Sequence, residues 1–226
     1  MVAWDERSAP RMDWGATRCG GRLIRRARAV MVYAVLVVQA ATAQELTPDV
    51  LVRTVTEGVI SVIKQDREIQ AGNAKKTIAL VEERVLPHFN FTRMTALAMG
   101  TNWRKATPDQ QKALVTEFRT LLVRTYSTAL SAYRNQIIEV MPLRAKPGDS
   151  DVVVRSVVRQ SGADPVTIDY AMEKTHDGWK VYDVAVGGVS LVTTYRDTFA
   201  SEVRAGGVDG LIQALAEKNR RLMKGG

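Results

Sequence analysis

The chain has 226 residues, of which 46% are hydrophobic and 25% are charged, and its formal net charge is +8. This composition is typical of a globular protein with one full core and excludes an intrinsically disordered chain. Lysines and arginines are interleaved with acids, and no basic stripe carries exposed aromatic residues, so the positive charge does not indicate nucleic-acid binding.

The first 43 residues predict a secretory signal peptide. Arginines between Arg22 and Arg28 precede the apolar run Ala29–Val38, which is followed by the small-residue triplet at 41–43. This order is typical of export by the general secretory route, with cleavage after Ala43. The run is too short to span a bilayer, which takes about 20 residues. Residues 1–43 hold seven arginines and three acids, so cleavage lowers the net charge to +4.

The first half of the predicted mature part, 44–226, has the pattern of helices. Thr47 and Thr107 are each followed by a proline, which is a typical way to begin a helix. Apolar residues at helical spacing predict helices from 48 to the break at Gly72, over 74–86 and over 92–99. The longest helix begins at Pro108, and its apolar stripe recurs every three or four residues as far as Tyr133.

The second half alternates with a period of two. It predicts strands near 137–145, 151–160, 165–175 and 178–186, separated by turn residues. We expect an α+β fold in which the long helix covers the apolar face of a four-stranded antiparallel sheet. Gly187-Gly188 is expected to end the sheet, and helices near 190–204 and 208–221 follow, divided by Gly206-Gly207.

Residues that could carry catalysis are few and poorly placed. The only cysteine, Cys19, falls in the predicted signal peptide, so no thiol remains in the mature part. His88 lies in a linker, and His176 lies beside Asp177 in a predicted turn, where local hydrogen bonding is the usual role. Ser190 lacks the nucleophile-elbow pattern, and no metal-ligand spacing or nucleotide-binding motif occurs. We therefore expect no enzyme activity, cofactor or metal. The sheet and its covering helix enclose either a filled core or a cone-shaped pocket.

Two groups of short motifs resemble the signatures of one family. The first group is Phe89-Asn90-Phe91-Thr92-Arg93-Met94, Met99-Gly100 and Trp103-Arg104-Lys105, with Pro108 and Gln110. The second group is Trp179-Lys180-Val181-Tyr182-Asp183-Val184, Gly188-Val189-Ser190-Leu191-Val192 and Tyr195-Arg196-Asp197-Thr198-Phe199. Together they resemble the MlaC family of periplasmic phospholipid-binding proteins, also called toluene-tolerance proteins, over essentially all of 45–221. Asn90 and Gly187 depart from the family pattern, which often has an acid at each position.

The resemblance implies a nuclear-transport-factor-like cone with a smaller helical lobe at about 67–106. It implies a non-catalytic periplasmic carrier, acting as a monomer, that holds the acyl chains of a glycerophospholipid between sheet and helices, with the head group at the mouth. Its partners would be an MlaA-like outer-membrane lipoprotein with a porin and the MlaD-like ring of an inner-membrane ABC transporter. Its role would be outer-membrane lipid asymmetry and tolerance of organic solvents. The competing interpretation is a periplasmic interaction domain with a filled core.

The predicted inward faces and the matched motifs supply candidates for the wall of a lipid cavity. These are Phe91, Met94, Leu97, Leu114, Phe118, Leu121, Leu122, Tyr126, Val154, Ile168, Tyr170, Val181, Val189, Val192 and Phe199. Three arginines, Arg93, Arg104 and Arg196, lie beside the motifs. Because a guanidinium matches phosphate geometry and rim charges steer association, they are candidates for contact with the head group or with a partner.

Overall fold

The computed structural model describes residues 46–131, 133–143, 146 and 148–224, so the predicted signal peptide lies outside the described residues. The helices are α1 Pro48–Gln65, α2 Arg67–Gln70, α3 Ala74–Arg84, α4 Phe91–Met99, α5 Pro108–Ser131 and α6 Leu191–Lys224, with 3-10 turns at Leu86–His88 and Gly100–Lys105. The strands are β1 Ile137–Val140, β2 Asp151–Arg159, β3 Val166–Thr175, β4 Gly178–Val186 and β5 Val189–Ser190. Each strand pairs antiparallel with the next, in the order β1-β2-β3-β4-β5. The predicted α+β class with an antiparallel meander is confirmed.

The sheet differs from the prediction at both edges. β1 ends at Val140 instead of near 145, because Pro142 follows closely and has no N–H for the ladder. Gly187 and Gly188 do not end the sheet. Their φ angles of 57° and 83° form a two-residue hairpin turn, which adds β5 as a fifth strand.

Local hydrogen bonds explain where several helices begin. Asp66 accepts from the amides of Glu68 and Ile69, which starts α2 and divides the single helix predicted from 48 to 71. Thr107 and Gln110 exchange hydrogen bonds of 3.2 Å and 3.0 Å as a capping box for α5. The break predicted at Gly206-Gly207 is present, because Gly207 has φ 70° and ψ −170° inside α6.

Three apolar clusters hold these elements together. A helical core joins α4, α5 and α6, where the Phe118 ring meets Tyr195 and Phe199 edge-on at 5.0 Å. A sheet core contains Val52 of α1 together with residues of β2, β3 and β4. A third cluster joins α1, α2 and α3. Among the described helices, α1 therefore supplies a buried residue to the sheet core.

A bulge in β4 determines which of its side chains face inward. Ala171 pairs with Asp183 but Met172 pairs with Val181, so Tyr182 is an extra residue in β4. The odd-numbered Val181 and the even-numbered Val184 consequently share one face of the sheet. The amide of Asn90 donates to the carbonyl oxygen of Val181 at 2.8 Å, which attaches the start of α4 beside the bulge.

Candidate ligand-binding cavity

A cavity of about 370 Å³ lies between the sheet and helices α1, α3 and α5. Among the described residues, 28 line it, and none of these is Asp, Glu, Lys or Arg. Apart from tyrosines, the polar members are Thr56, His88 and Ser127. Its volume falls within the range of roughly 300–1,000 Å³ found for small-molecule sites. This arrangement suits an apolar ligand.

The strands and α5 face each other across this space. β3 contributes Ile168, Tyr170 and Met172, which alternate along the strand, and the bulge brings Val181, Val184 and Val186 of β4 to the same side. The opposite wall comes from one side of α5, at Leu122, Val123, Tyr126, Ser127 and Leu130. The long helix therefore faces the sheet with a cavity between them.

The two ends of the cavity differ in exposure. At one end Met172 and Val181 are buried, and Phe89 and Phe91 stack with ring centroids 5.7 Å apart. At the other end, Tyr126 is 41% exposed and Val186 is 43% exposed, and both border the cavity. The mouth therefore lies between α5 and the end of β4.

Two titratable side chains of the lining, those of His88 and Tyr170, favour their neutral forms. Burial, together with the charge of Lys180, lowers the pKa of His88 below its ordinary value, which favours the neutral imidazole. Burial raises the pKa of Tyr170 above its ordinary value, so this phenol keeps its proton. Near the mouth, burial and the neighbouring Tyr126 hydroxyl raise the pKa of Tyr195 to about 12.

Seven of the fifteen predicted wall residues line the cavity. They are Phe91, Met94, Leu122, Tyr126, Ile168, Tyr170 and Val181. Whether they contact a lipid stays a prediction.

The other eight lie elsewhere. Leu114, Phe118, Leu121, Val192 and Phe199 are buried in the helical core, and Leu97 packs against it. Val154 is buried in the sheet core, and Val189 is 63% exposed in β5. The reason is physical: periodicity identifies a buried face, but a filled core and a cavity wall bury the same kind of side chain.

Sequence reasoning missed the wall formed by α1 and α3. Val55, Val59, Ile60 and Ile63 of α1 line the cavity, as does Val81 of α3. The helical spacing of these apolar residues was a usable signal. It predicted the helices but not that one side of each faces a cavity, because a filled core and a cavity wall bury the same kind of side chain.

The three candidate arginines do not line the cavity. The Arg93 guanidinium donates to Glu173 at 2.6 Å and to Asp151 at 2.9 Å, and its Cζ lies 3.6 Å from the centroid of the Tyr182 ring. Glu173 follows the cavity-lining Met172, so alternation directs its side chain to the opposite face of the sheet. These contacts make Arg93 a structural link between α4 and the sheet, which disfavours a head-group role.

Arg104 and Arg196 are both exposed. Arg196 donates from Nε and Nη2 to the carbonyl oxygen of Leu97, at 3.3 Å and 3.1 Å, and so ties α6 to α4. Arg104 forms no ion pair with any group in the described ranges. A docking role for either residue stays a prediction.

The candidate catalytic residues have local partners. The Ser190 hydroxyl donates to Asp183 at 2.5 Å and accepts from the amide of Thr193 at 3.0 Å, so it caps α6. His176 is exposed in the β3–β4 turn, 3.2 Å from Asp177. Within the described residues, no group of three or more His, Cys, Asp or Glu side chains is placed to hold a metal ion. No helix in the same ranges is both long and apolar enough to cross a bilayer.

The fold and this uncharged lining define an α+β protein built around an internal apolar cavity. The sequence profile of the MlaC protein family matches residues 53–217. The chain therefore belongs to the MlaC family, which confirms the resemblance in its motifs.

Individual relatives agree with this assignment. A phospholipid-binding protein from Ralstonia solanacearum, solved in complex with a phospholipid, matches with a TM-score of 0.74 and 42% identity, covering 79% of this chain and 99% of that one. The toluene tolerance protein ttg2D of Pseudomonas putida is 28% identical over 164 residues, which cover 72% of this chain and 76% of the relative. The intermembrane phospholipid transport system binding protein MlaC of Haemophilus influenzae is 25% identical over 189 residues, which cover 81% and 87%.

Proposed function

We propose that this chain is a periplasmic carrier that holds a glycerophospholipid by its acyl chains inside the cavity. The observation that supports this function most directly is that the 28 lining residues which the structure describes include no Asp, Glu, Lys or Arg. Acyl chains need an apolar wall and offer no hydrogen bonds. One relative is solved with a phospholipid, and another is named for intermembrane phospholipid transport.

The free energies involved suit a carrier better than a tight receptor. Exposing roughly 30 acyl carbons to water would cost on the order of 20 kcal/mol at ~0.8 kcal/mol per carbon. A membrane shields the same carbons, so transfer from membrane to cavity has a net free energy near zero when the cavity shields them equally well. Both loading and release are then possible without an energy-consuming step in the carrier itself.

The predicted signal peptide at 1–43 supports a periplasmic location for the carrier domain, 44–226. There the protein acts as a monomer between an MlaA-like lipoprotein with its porin and an MlaD-like ring of an ABC transporter. It contributes to outer-membrane lipid asymmetry and solvent tolerance, and it catalyses no reaction. The competing function, an interaction domain with a filled core, is disfavoured by the cavity of about 370 Å³.

A cavity-filling variant tests the proposal. Val184 lines the cavity from β4, so Val184→Trp places a large ring where acyl carbons would lie. If the ring displaces about four methylenes, binding weakens by ~3 kcal/mol, or on the order of 100-fold. The mature protein is purified under mild conditions, and its lipid content is measured by organic extraction and mass spectrometry. We expect phosphatidylethanolamine or phosphatidylglycerol in the wild type and little lipid in the variant.

The matched control is Val153→Trp. Val153 is 56% exposed on β2, and its partner Ala171 lies between the inward-facing Tyr170 and Met172, so it belongs to the outer face. This control should retain the wild-type lipid content. Wild-type protein that carries no lipid in repeated preparations, and takes up none from vesicles of these lipids, would contradict the proposed function.

A further inference from the structure

The cavity is bordered by a hydroxyl that has no hydrogen-bond partner within the described residues. Ser127 is 5% exposed and lies on α5, where its side chain borders the cavity. Its hydroxyl forms no hydrogen bond with any group in the described part of the chain. Thr116 and Thr120 on the same helix behave differently, because their hydroxyls donate to carbonyl oxygens one turn earlier at 3.0 Å and 2.9 Å.

A ligand that fills the cavity would separate this hydroxyl from water. A hydroxyl buried in this way costs free energy unless the ligand supplies an acceptor for it. Most of the surrounding wall is apolar, and its other polar side chains are Thr56, His88 and three tyrosines. Among possible ligand groups, a phosphate is a poor match, because it is charged and the part of the lining that the structure describes has no charged residue. An ester carbonyl is a neutral group that only accepts hydrogen bonds, and the Ser127 hydroxyl can donate one to it.

The position of Ser127 along the cavity agrees with this chemistry. Ser127 is buried, and it lies only about 1.5 Å along the helix axis from Tyr126, which is 41% exposed and marks the mouth. The ester groups of a diacyl lipid lie between the head group and the acyl chains. A lipid with its head group at the mouth therefore brings its esters to the level where the lining changes from exposed to buried.

From this placement we infer that the Ser127 hydroxyl donates a hydrogen bond to an acyl ester carbonyl of the bound lipid. The inference rests on the proposed function and deepens it, because it gives the carrier a preference for ester-linked over ether-linked chains. Ether-linked lipids can have the same head group and chain length but lack the carbonyl acceptor. The preference is then independent of the head group.

The test is a competition between two lipids. Lipid-free protein is incubated with vesicles containing equal amounts of diacyl and dialkyl-ether phosphatidylethanolamine of matched chain length, and the bound lipids are quantified by mass spectrometry. We expect the ester-to-ether ratio to be roughly three- to tenfold higher in the wild type than in Ser127→Ala, as one net hydrogen bond would give. Any difference between the lipids within the bilayer cancels, because both proteins draw on the same vesicles.

Thr116→Val is the matched control, because Thr116 is exposed on α5 and its hydroxyl already donates to Lys112. It should keep the wild-type ratio. The melting temperature of lipid-free Ser127→Ala should equal or exceed that of wild type, since the substitution breaks no hydrogen bond. A marked fall would reveal a structural partner and overturn the inference.

The two proposals fail in different ways. If wild type and Ser127→Ala load both lipids in the same ratio, Ser127 does not contact an ester, although the carrier function stands. A water molecule held by Ser127 in the loaded state would give that result. If neither lipid is loaded, the carrier function itself is wrong.

Discussion

The link between Arg93 and the sheet should contribute more to stability than an exposed ion pair of similar geometry. The Glu173 side chain is only 18% exposed, and it accepts from Arg93 at 2.6 Å and from Asn90 at 2.7 Å. Arg93→Met removes the cation and leaves this carboxylate with one neutral donor. A hydrogen bond to a charged group contributes about 1.5–3 kcal/mol.

Two further contacts of Arg93 add less. Asp151 is half exposed, so solvent screens that pair, which then contributes about 0–1 kcal/mol. The contact with the Tyr182 ring adds about 0.5–1 kcal/mol. The expected loss is therefore about 3 kcal/mol of unfolding free energy, or roughly 6–12 °C in melting temperature for a chain of this size. Urea unfolding followed by circular dichroism measures the change.

Arg155→Met is the matched control for this prediction. The Arg155 guanidinium also donates two hydrogen bonds, to Asp169 at 2.6 Å and 2.8 Å. Asp169 is nearly as buried as Glu173, but the Arg155 side chain is 58% exposed against 32% for Arg93, so solvent screens its charge more. The loss of unfolding free energy in Arg155→Met should be clearly smaller than the loss in Arg93→Met. The double variant Arg93→Met/Glu173→Gln should regain part of the loss, because the carboxylate no longer lacks a cation. Equal losses at Arg93 and Arg155 would refute the reasoning. Lost lipid with unchanged stability would instead restore Arg93 as a head-group contact.

Two other predictions follow, one from the backbone at two glycines and one from a histidine. Gly188→Ala should lower the free energy of unfolding by about 1–2 kcal/mol, because Gly188 has φ 83°. Gly206 has open space around it and no positive φ, so Gly206→Ala should raise the free energy of unfolding by about 0.4–1 kcal/mol. The midpoint of urea unfolding measures both changes. The pKa of His88 is lowered in the folded state, so the unfolded chain binds more protons as pH falls below about 6.5, and stability declines with acidification. His88→Gln should flatten the decline of melting temperature between pH 7 and pH 5. His176→Gln, at an exposed turn, should follow wild type, and an unchanged slope in His88→Gln would count against the prediction.

The sequence predicted the elements well because their signals are local. Proline at the start of α5, glycine after α4 and strict alternation in β3 each act within a few residues. The helical stripe of α5 was also correctly assigned as apolar. Its residues nevertheless separate into two groups, because Leu114, Phe118 and Leu121 pack against other helices whereas Leu122 and Tyr126 border the cavity. That separation depends on where α6 and the sheet lie, which local patterns do not encode.

The bulge at Tyr182 is the clearest example of a feature that sequence did not reveal. A strand with uninterrupted alternation would direct Val181 and Val184 to opposite faces, yet both line the cavity. Asn90 shows the same dependence on distant residues. Its carboxamide caps α4 by accepting from the amide of Arg93, and it also donates to Glu173, 83 positions further along the chain. An aspartate could cap the helix equally well but could not donate to Glu173.

The ionic contacts of Arg93 lie on the opposite face of the sheet from the cavity that would shield a lipid. The ionic contacts of Arg93 involve Asp151 and Glu173, which alternate with inward-facing residues and therefore lie on the other face of the sheet. The cavity itself has neutral walls, and its mouth is bordered by a valine and a tyrosine. A lipid held this way would be bound through its chains and esters, which all diacyl glycerophospholipids share. Loading should then vary little between zwitterionic and anionic head groups, and changes in ionic strength should affect docking more than lipid retention.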